Sequence, residues 1–104
     1  MPTVNFIGYE CEVKVSRYAD GLTPCLSLVD SEGIPVATAT VNVSNLQLPS
    51  DCVVIKNYSE NEGILEALIA AEIVKPTGQT VPVGHCIGHI CQLTPKMLAH
   101  LASV

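Results

Sequence analysis

The stretch CVVIKNYSENEGILEALIAAEIV, residues 52–74, changes its hydrophobic period once along its length. The run CVVIKN opens it as a short apolar segment, which is typical of a buried strand. After Tyr58 the large apolar residues recur at the spacing of one helix face. They are Ile64, Leu65, Leu68 and Ile69. A strand followed directly by a helix indicates a domain that mixes both kinds of secondary structure.

The start of this helix carries a recognisable signal. Ser59 and Glu62 have the S-x-x-E spacing of a capping box, in which the serine caps the helix and the glutamate reaches back to the cap amide. Glu60 and Glu62 also lie where the positive end of a helix dipole favours acids. The sequence therefore predicts a helix over residues 58–74 with Ser59 as its N-cap, although Gly63 weakens its first turn.

The first half of the chain is predicted to form strands. ECEVKVSRY (residues 10–18) alternates, with Cys11, Val13 and Val15 on the side that we expect to be buried. CLSLVD (25–30) and VATATVNV (36–43) follow, separated by short turns. Because the connections are too short for crossovers, the three strands are predicted to form an antiparallel meander.

The C-terminal third returns to extended structure. KPTGQTVP (75–82) is rich in turn formers and is predicted as a loop, whereas CIGHICQL (86–93) is predicted as a strand. Thr94 and Pro95 fit the N-cap and first position of a short final helix. Together these elements predict one α+β domain over residues 1–104. It is a twisted antiparallel sheet of about five strands, with one main helix packed on it and a short C-terminal helix.

Charge and composition restrict the function classes. Ten acids and five bases give a formal charge of −5, and the bases are scattered along the chain, so no direct contact with nucleic acid is expected. The longest apolar stretch, residues 64–74, is too short to cross a membrane. The N-terminus shows no leader pattern, so we expect a cytoplasmic protein with reduced thiols.

Two histidines and two cysteines lie close together in VPVGHCIGHICQL, residues 81–93. On a strand, His85, His89 and Cys91 share one face, and Cys86 points to the other. The favoured interpretation is one strand of the core. The alternative is a small zinc-binding protein that uses His85, His89 and Cys91, since zinc accepts imidazole and thiolate ligands. No resident metal or other cofactor is predicted.

Catalytic patterns are weak throughout the chain. A cysteine beside a histidine on a strand points away from it, so no Cys–His nucleophile is predicted. Neither a phosphate loop nor a nucleophile elbow is present in the sequence. The protein is therefore predicted not to be an enzyme.

The most distinctive stretch is NYSENEG, residues 57–63. One interpretation is a strand-to-helix turn required by the fold. The other is a negative, hydrogen-bonding lip that binds a basic protein partner. The candidate partner-binding residues are Asn57, Tyr58, Glu60, Asn61 and Glu62. A homodimer joined through a sheet edge is also possible, because VATATVNV carries no charge that would discourage a partner strand.

Three segments of the chain resemble blocks of a known family: LSLVDSEGIPVATATVNV (26–43), KNYSENEGILEAL (56–68) and PTGQTVPVG (76–84). The family consists of uncharacterised small bacterial proteins carried mainly by phages, plasmids and other mobile elements, and the likeness covers residues 12–93. It implies a protein that binds a host protein or complex, including complexes that handle nucleic acid. The expected function is a small acidic inhibitor of a host defence complex, similar to anti-CRISPR proteins.

Overall fold

A computed structural model describes residues 2–18, 23–43 and 48–102, apart from the side chain of Glu60. The described chain is α+β, as the sequence predicts. Its elements are, in order, β1 (Thr3–Phe6), β2 (Tyr9–Arg17), β3 (Pro24–Val29), β4 (Pro35–Thr38), β5 (Thr40–Val41), β6 (Cys52–Ile55), α1 (Ile64–Ala70), β7 (Val74–Val83), β8 (Cys86–Leu93) and α2 (Pro95–Leu101).

The strands form two antiparallel sheets of four, and the prediction of one sheet of about five strands is wrong in this respect. The first sheet has the order β1-β2-β3-β4, and the second has the order β5-β6-β8-β7. In the first sheet, β2, β3 and β4 pair antiparallel in chain order, as the predicted meander requires. The extra sheet arises because one predicted strand is divided between the two sheets.

That division occurs at Ala39, in the middle of the predicted strand 36–43. The N–H of Ala39 donates to the carbonyl of Leu26 at 2.8 Å, and the carbonyl of Ala39 accepts from the N–H of Lys56 at 2.8 Å. One residue thus bonds to both sheets, and the chain passes from β4 in the first sheet to β5 in the second. Alternation alone could not predict this crossing, because both halves of the segment are equally β-prone.

Two strands were not predicted from the sequence. β1 has only four residues, and it pairs with β2 through a tight turn in which Ile7 and Gly8 both have positive φ. β7 occupies residues predicted as a loop, so that prediction is wrong. Its prolines and glycine are accommodated because β7 lies at the edge of the second sheet and carries a bulge between Pro76 and Gln79.

The two helices are short. α1 covers residues 64–70, only part of the predicted 58–74, because the preceding residues form a separate turn and Ile73 and Val74 leave the helix for β7. α2 begins at Pro95 after Thr94, as predicted. Neither helix in the described part of the chain is long and apolar enough to span a bilayer.

The main core lies between the sheets and the two helices. Its strand residues include Cys11 and Val13, which are fully buried, while Val15 is half-buried at its margin, as the alternation of residues 10–18 predicts. The largest fully buried side chains contributed by other elements are Leu26, Leu28, Ile55, Ile64, Leu68, Ile73, Leu93 and Met97. Aliphatic packing of this kind supplies most of the stabilising free energy.

Candidate functional site

The stretch 57–63 forms a compact turn between β6 and α1. Ser59–Asn61 make one turn of 3-10 helix, with Ser59 at φ 55° and Gly63 at φ 95°. Positive φ is costly for a residue with a Cβ, so surrounding contacts must hold Ser59 in place. Gly63 adopts its value without that cost.

The predicted capping box does not form. Neither Tyr58 before the 3-10 turn nor Gly63 before α1 caps its helix through a side chain. Instead the Oδ1 atom of Asn57 accepts hydrogen bonds from the N–H of Gly63 at 3.1 Å and from the N–H of Leu65 at 3.0 Å. Asn57 thus satisfies two donors at the start of α1, the task that the sequence pattern assigned to Ser59.

Asn61 faces the interior. Its side chain is 1% exposed, and its Nδ2 atom donates to the carbonyl of Thr38 at 2.7 Å. Thr38 immediately precedes the residue where the chain changes sheets. The asparagine therefore connects the turn to the crossing between the sheets, and its side chain does not form part of the surface.

The outer side of the turn carries the remaining predicted contact residues. Glu62 is exposed and Tyr58 is half-buried. The Nζ atom of Lys56 lies 5.7 Å from the centre of the Tyr58 ring, within the range of a cation–π contact. Glu60 belongs to the 3-10 turn, and its side chain lies outside the described part of the structure. Among the predicted residues, the structure thus leaves Glu62 exposed, and it places the half-buried Tyr58 next to Lys56.

The histidines and cysteines of the last strand do not converge. Cys91 is fully buried in the main core, His89 is half-buried, and His85 is exposed in the turn before β8. Cys86 has the opposite parity on the strand and points to the other face of the sheet. Within residues 2–18, 23–43 and 48–102, no group of three or more His, Cys, Asp or Glu side chains could hold a metal ion.

The buried thiols are also poor nucleophiles and poor metal ligands. Burial, assisted by the nearby Cys52, raises the pKa of Cys91 to about 11. Burial followed by the charge of Asp30 raises the pKa of Cys11, and burial followed by the charge of Asp51 raises the pKa of Cys52. These three thiols are therefore protonated at neutral pH, whereas both functions need the thiolate.

A partly buried polar cluster near the sheet crossing was not found from the sequence. The hydroxyl of Tyr18 lies 2.9 Å from Oγ1 of Thr40, which also accepts from the N–H of Leu26 at 3.2 Å. Burial is the largest of the influences that raise the pKa of Tyr18 to about 12; the bond to Thr40 lowers it and a bond to Cys25 raises it. No local pattern joins residues 18, 25 and 40, so only the folded chain reveals the cluster.

One open groove lies between the end of α1, the start of β7 and the start of α2, and it has a volume of about 490 Å³. Its apolar lining comes from Ile69, Val74, Pro76 and Pro95. The Nζ atom of Lys96 donates to the carbonyl of Ala71 at 3.1 Å at the border of this groove. That lysine satisfies a free carbonyl at the end of α1, which is a structural role.

Comparison with known proteins adds no assignment. No family model matches the chain, and neither the curated proteins nor the solved structures include a significant match.

Proposed function

We propose that this protein is a non-catalytic binding module that contacts a basic protein partner through the outer side of the turn 57–63. The observation that supports this proposal is that some side chains of the turn bond to the protein while others are exposed. Asn57 and Asn61 bond inward to the protein, which fixes the backbone, while Glu62 is exposed and Tyr58 is half-buried. A preorganised acidic surface loses little conformational entropy on binding, and its charge attracts a basic partner.

The partner, in this proposal, is a host protein or protein complex of a bacterial cytoplasm, including complexes whose basic grooves hold nucleic acid. The formal charge of −5 favours such a partner and disfavours direct binding to nucleic acid. The likeness of residues 12–93 to a family of phage and plasmid proteins supports the more specific role of a defence inhibitor, similar to anti-CRISPR proteins. The protein acts stoichiometrically and needs no cofactor.

The test is capture of partners from lysate of the natural host by the purified protein and two double variants. Glu60→Lys with Glu62→Lys reverses the charge of the turn. Glu32→Lys with Glu72→Lys makes the same change in net charge at exposed acids outside the turn, since Glu72 follows the far end of α1. We expect a basic partner that binds the wild type and the control but binds the turn variant at least tenfold less, a loss of about 1.4 kcal/mol.

Two results would contradict the proposal. Equal capture by the two double variants would assign the attraction to net charge rather than to the turn. Absence of any specific partner from a lysate in which basic proteins are detected would remove the evidence for a binding function.

A further inference from the structure

The outer edge of β1 presents backbone groups that are free for pairing. β1 is the end strand of the first sheet, and within the described residues β2 is its one neighbour. The N–H of Val13 donates to the carbonyl of Pro2 at 2.9 Å, which shows which residues of β1 direct their backbone groups towards β2. In an antiparallel strand the N–H and C=O groups of one residue point to the same side, and successive residues alternate between the two sides. Since Pro2 bonds to β2, Thr3 and Asn5 direct their N–H and C=O groups away from β2.

A groove with a volume of about 390 Å³ lies beside this edge. One side is formed by Thr3, Asn5 and Glu10, and the other side by Ala67, Ala70 and Ala71 at the end of α1. The alanines leave space that longer side chains would fill. Thr3 and Asn5 are two residues apart, about 7 Å along the strand, which is the repeat of an extended peptide backbone.

The β7 edge of the second sheet is different. The N–H of Leu93 bonds towards β6, so alternate residues of β8, including Cys91 and Ile87, also face β6. Their partners in β7 are Pro76 and Pro82, which therefore face outward. Proline has no N–H to offer a partner strand, so this edge has fewer donors, although Thr80, which lies between the prolines and pairs with His89, also faces outward and keeps its N–H. At β1 the outward positions keep both N–H donors.

We propose that the edge of β1 binds an extended, basic segment of a partner protein, which adds to the first sheet as a further strand. The backbone of such a segment satisfies the polar groups of Thr3 and Asn5, and its lysine or arginine side chains meet the exposed carboxylate of Glu10. A second copy of this chain is the less suitable occupant, because each copy carries a formal charge of −5. The inference rests on the proposed binding function and adds a second contact surface with a defined backbone geometry.

The probe is a synthetic peptide, Thr-Lys-Val-Lys-Val-Lys-Thr, added to the full-length protein labelled with ¹⁵N. In the free protein the amides of Thr3 and Asn5 should exchange with solvent much faster than those of Val4 and Phe6. The peptide should slow the exchange of Thr3 and Asn5 at least about tenfold, with a Kd on the order of 1 mM or tighter. The same peptide with glutamate for lysine should bind about fivefold more weakly or not at all.

Matched variants locate the site. Ala70→Leu fills the groove from α1 and should weaken binding of the lysine peptide about tenfold. Ala99→Leu makes the same change at an exposed position of α2 and should leave binding unchanged. Unchanged binding by Ala70→Leu, or no protection of Thr3 and Asn5 by the peptide, would overturn the proposal. So would a dimer in light scattering whose Thr3 and Asn5 amides are already protected.

The two proposals fail separately. Loss of peptide binding leaves the dependence of host capture on Glu60 and Glu62 intact, since that experiment changes only the turn. Conversely, the peptide experiment uses no host protein, so a failed capture does not alter its result.

Discussion

Residues 57–63 and residues 85–91 both contain many side chains that can bind ligands, but the backbone distributes them differently. The first stretch folds into a turn, so that Asn57 and Asn61 bond to different parts of the protein while Glu62 is exposed. The second stretch is mostly extended, so Cys86 and Cys91 lie on opposite faces of one sheet. In both stretches, closeness in the sequence does not bring the side chains to one point in space, because the backbone decides which of them face the same way.

The largest effect that would test this comparison comes from Asn61→Asp. It places a carboxylate against the carbonyl of Thr38 in a site that is 1% exposed, and we expect a loss of about 3 kcal/mol in the free energy of unfolding at pH 7. Burial raises the pKa of the new carboxyl, so the folded state binds the proton more strongly than the unfolded state. The penalty should therefore be constant at high pH and shrink as the pH falls through the folded-state pKa towards the unfolded-state pKa of about 4.

Urea unfolding of wild type and variant between pH 4 and pH 8 measures this difference. Asn61→Ala serves as the comparison, because it removes the hydrogen bond without adding a charge and should cost about 1–3 kcal/mol at every pH. A stable Asn61→Asp variant would show that the turn does not depend on its buried asparagine.

The next largest effect concerns the last strand. A Cβ added at Gly88 would overlap Cγ1 of Val54 and lie 3.1 Å from Cγ2 of Val83. Because Val54 is buried and stiff at χ1, Gly88→Ala should destabilise the protein by about 1–3 kcal/mol through overpacking. Thermal unfolding measures this change. Gly84→Ala tests strain rather than space, since Gly84 has φ 61° and, in the described part of the chain, no atom other than those of its chain neighbours lies within 4 Å of its added Cβ.

Full stability of Gly88→Ala would show that the outer face of the second sheet is loosely packed there. The zinc alternative for His85, His89 and Cys91 concerns the opposite face of β8, so this variant does not test it. Elemental analysis of untagged protein would examine that alternative directly.

The smallest expected effect is that of Glu62→Lys on stability. Glu62 is exposed, so the change in unfolding free energy should stay within about 0.5 kcal/mol by urea unfolding. The contrast with Asn61→Asp, one residue away, sharpens the distinction between the inner and outer sides of the turn. A loss above about 1 kcal/mol would show that the outer side also supports the fold, and would weaken its interpretation as a contact surface.

Local patterns predicted much of the secondary structure. The alternation of residues 10–18 predicts β2 and its buried face, and the pair Thr94–Pro95 predicts the start of α2. The turn 57–63 was also identified from the sequence as a strand-to-helix connection. Its internal bonds were not, since Asn57 replaces Ser59 as the source of the cap and Asn61 bonds to Thr38, 23 residues earlier in the chain.

The sequence by itself determined the α+β class and most of the strands, because hydrophobic period and capping residues act between near neighbours. Only the tertiary structure decided that strand 36–43 divides between two sheets at Ala39 and that residues 74–83 form an edge strand. It also decided which asparagines face inward and that the outward residues of the edge strand β1 keep their N–H donors. These features depend on hydrogen bonds between distant residues, and no local pattern specifies the partner of such a bond.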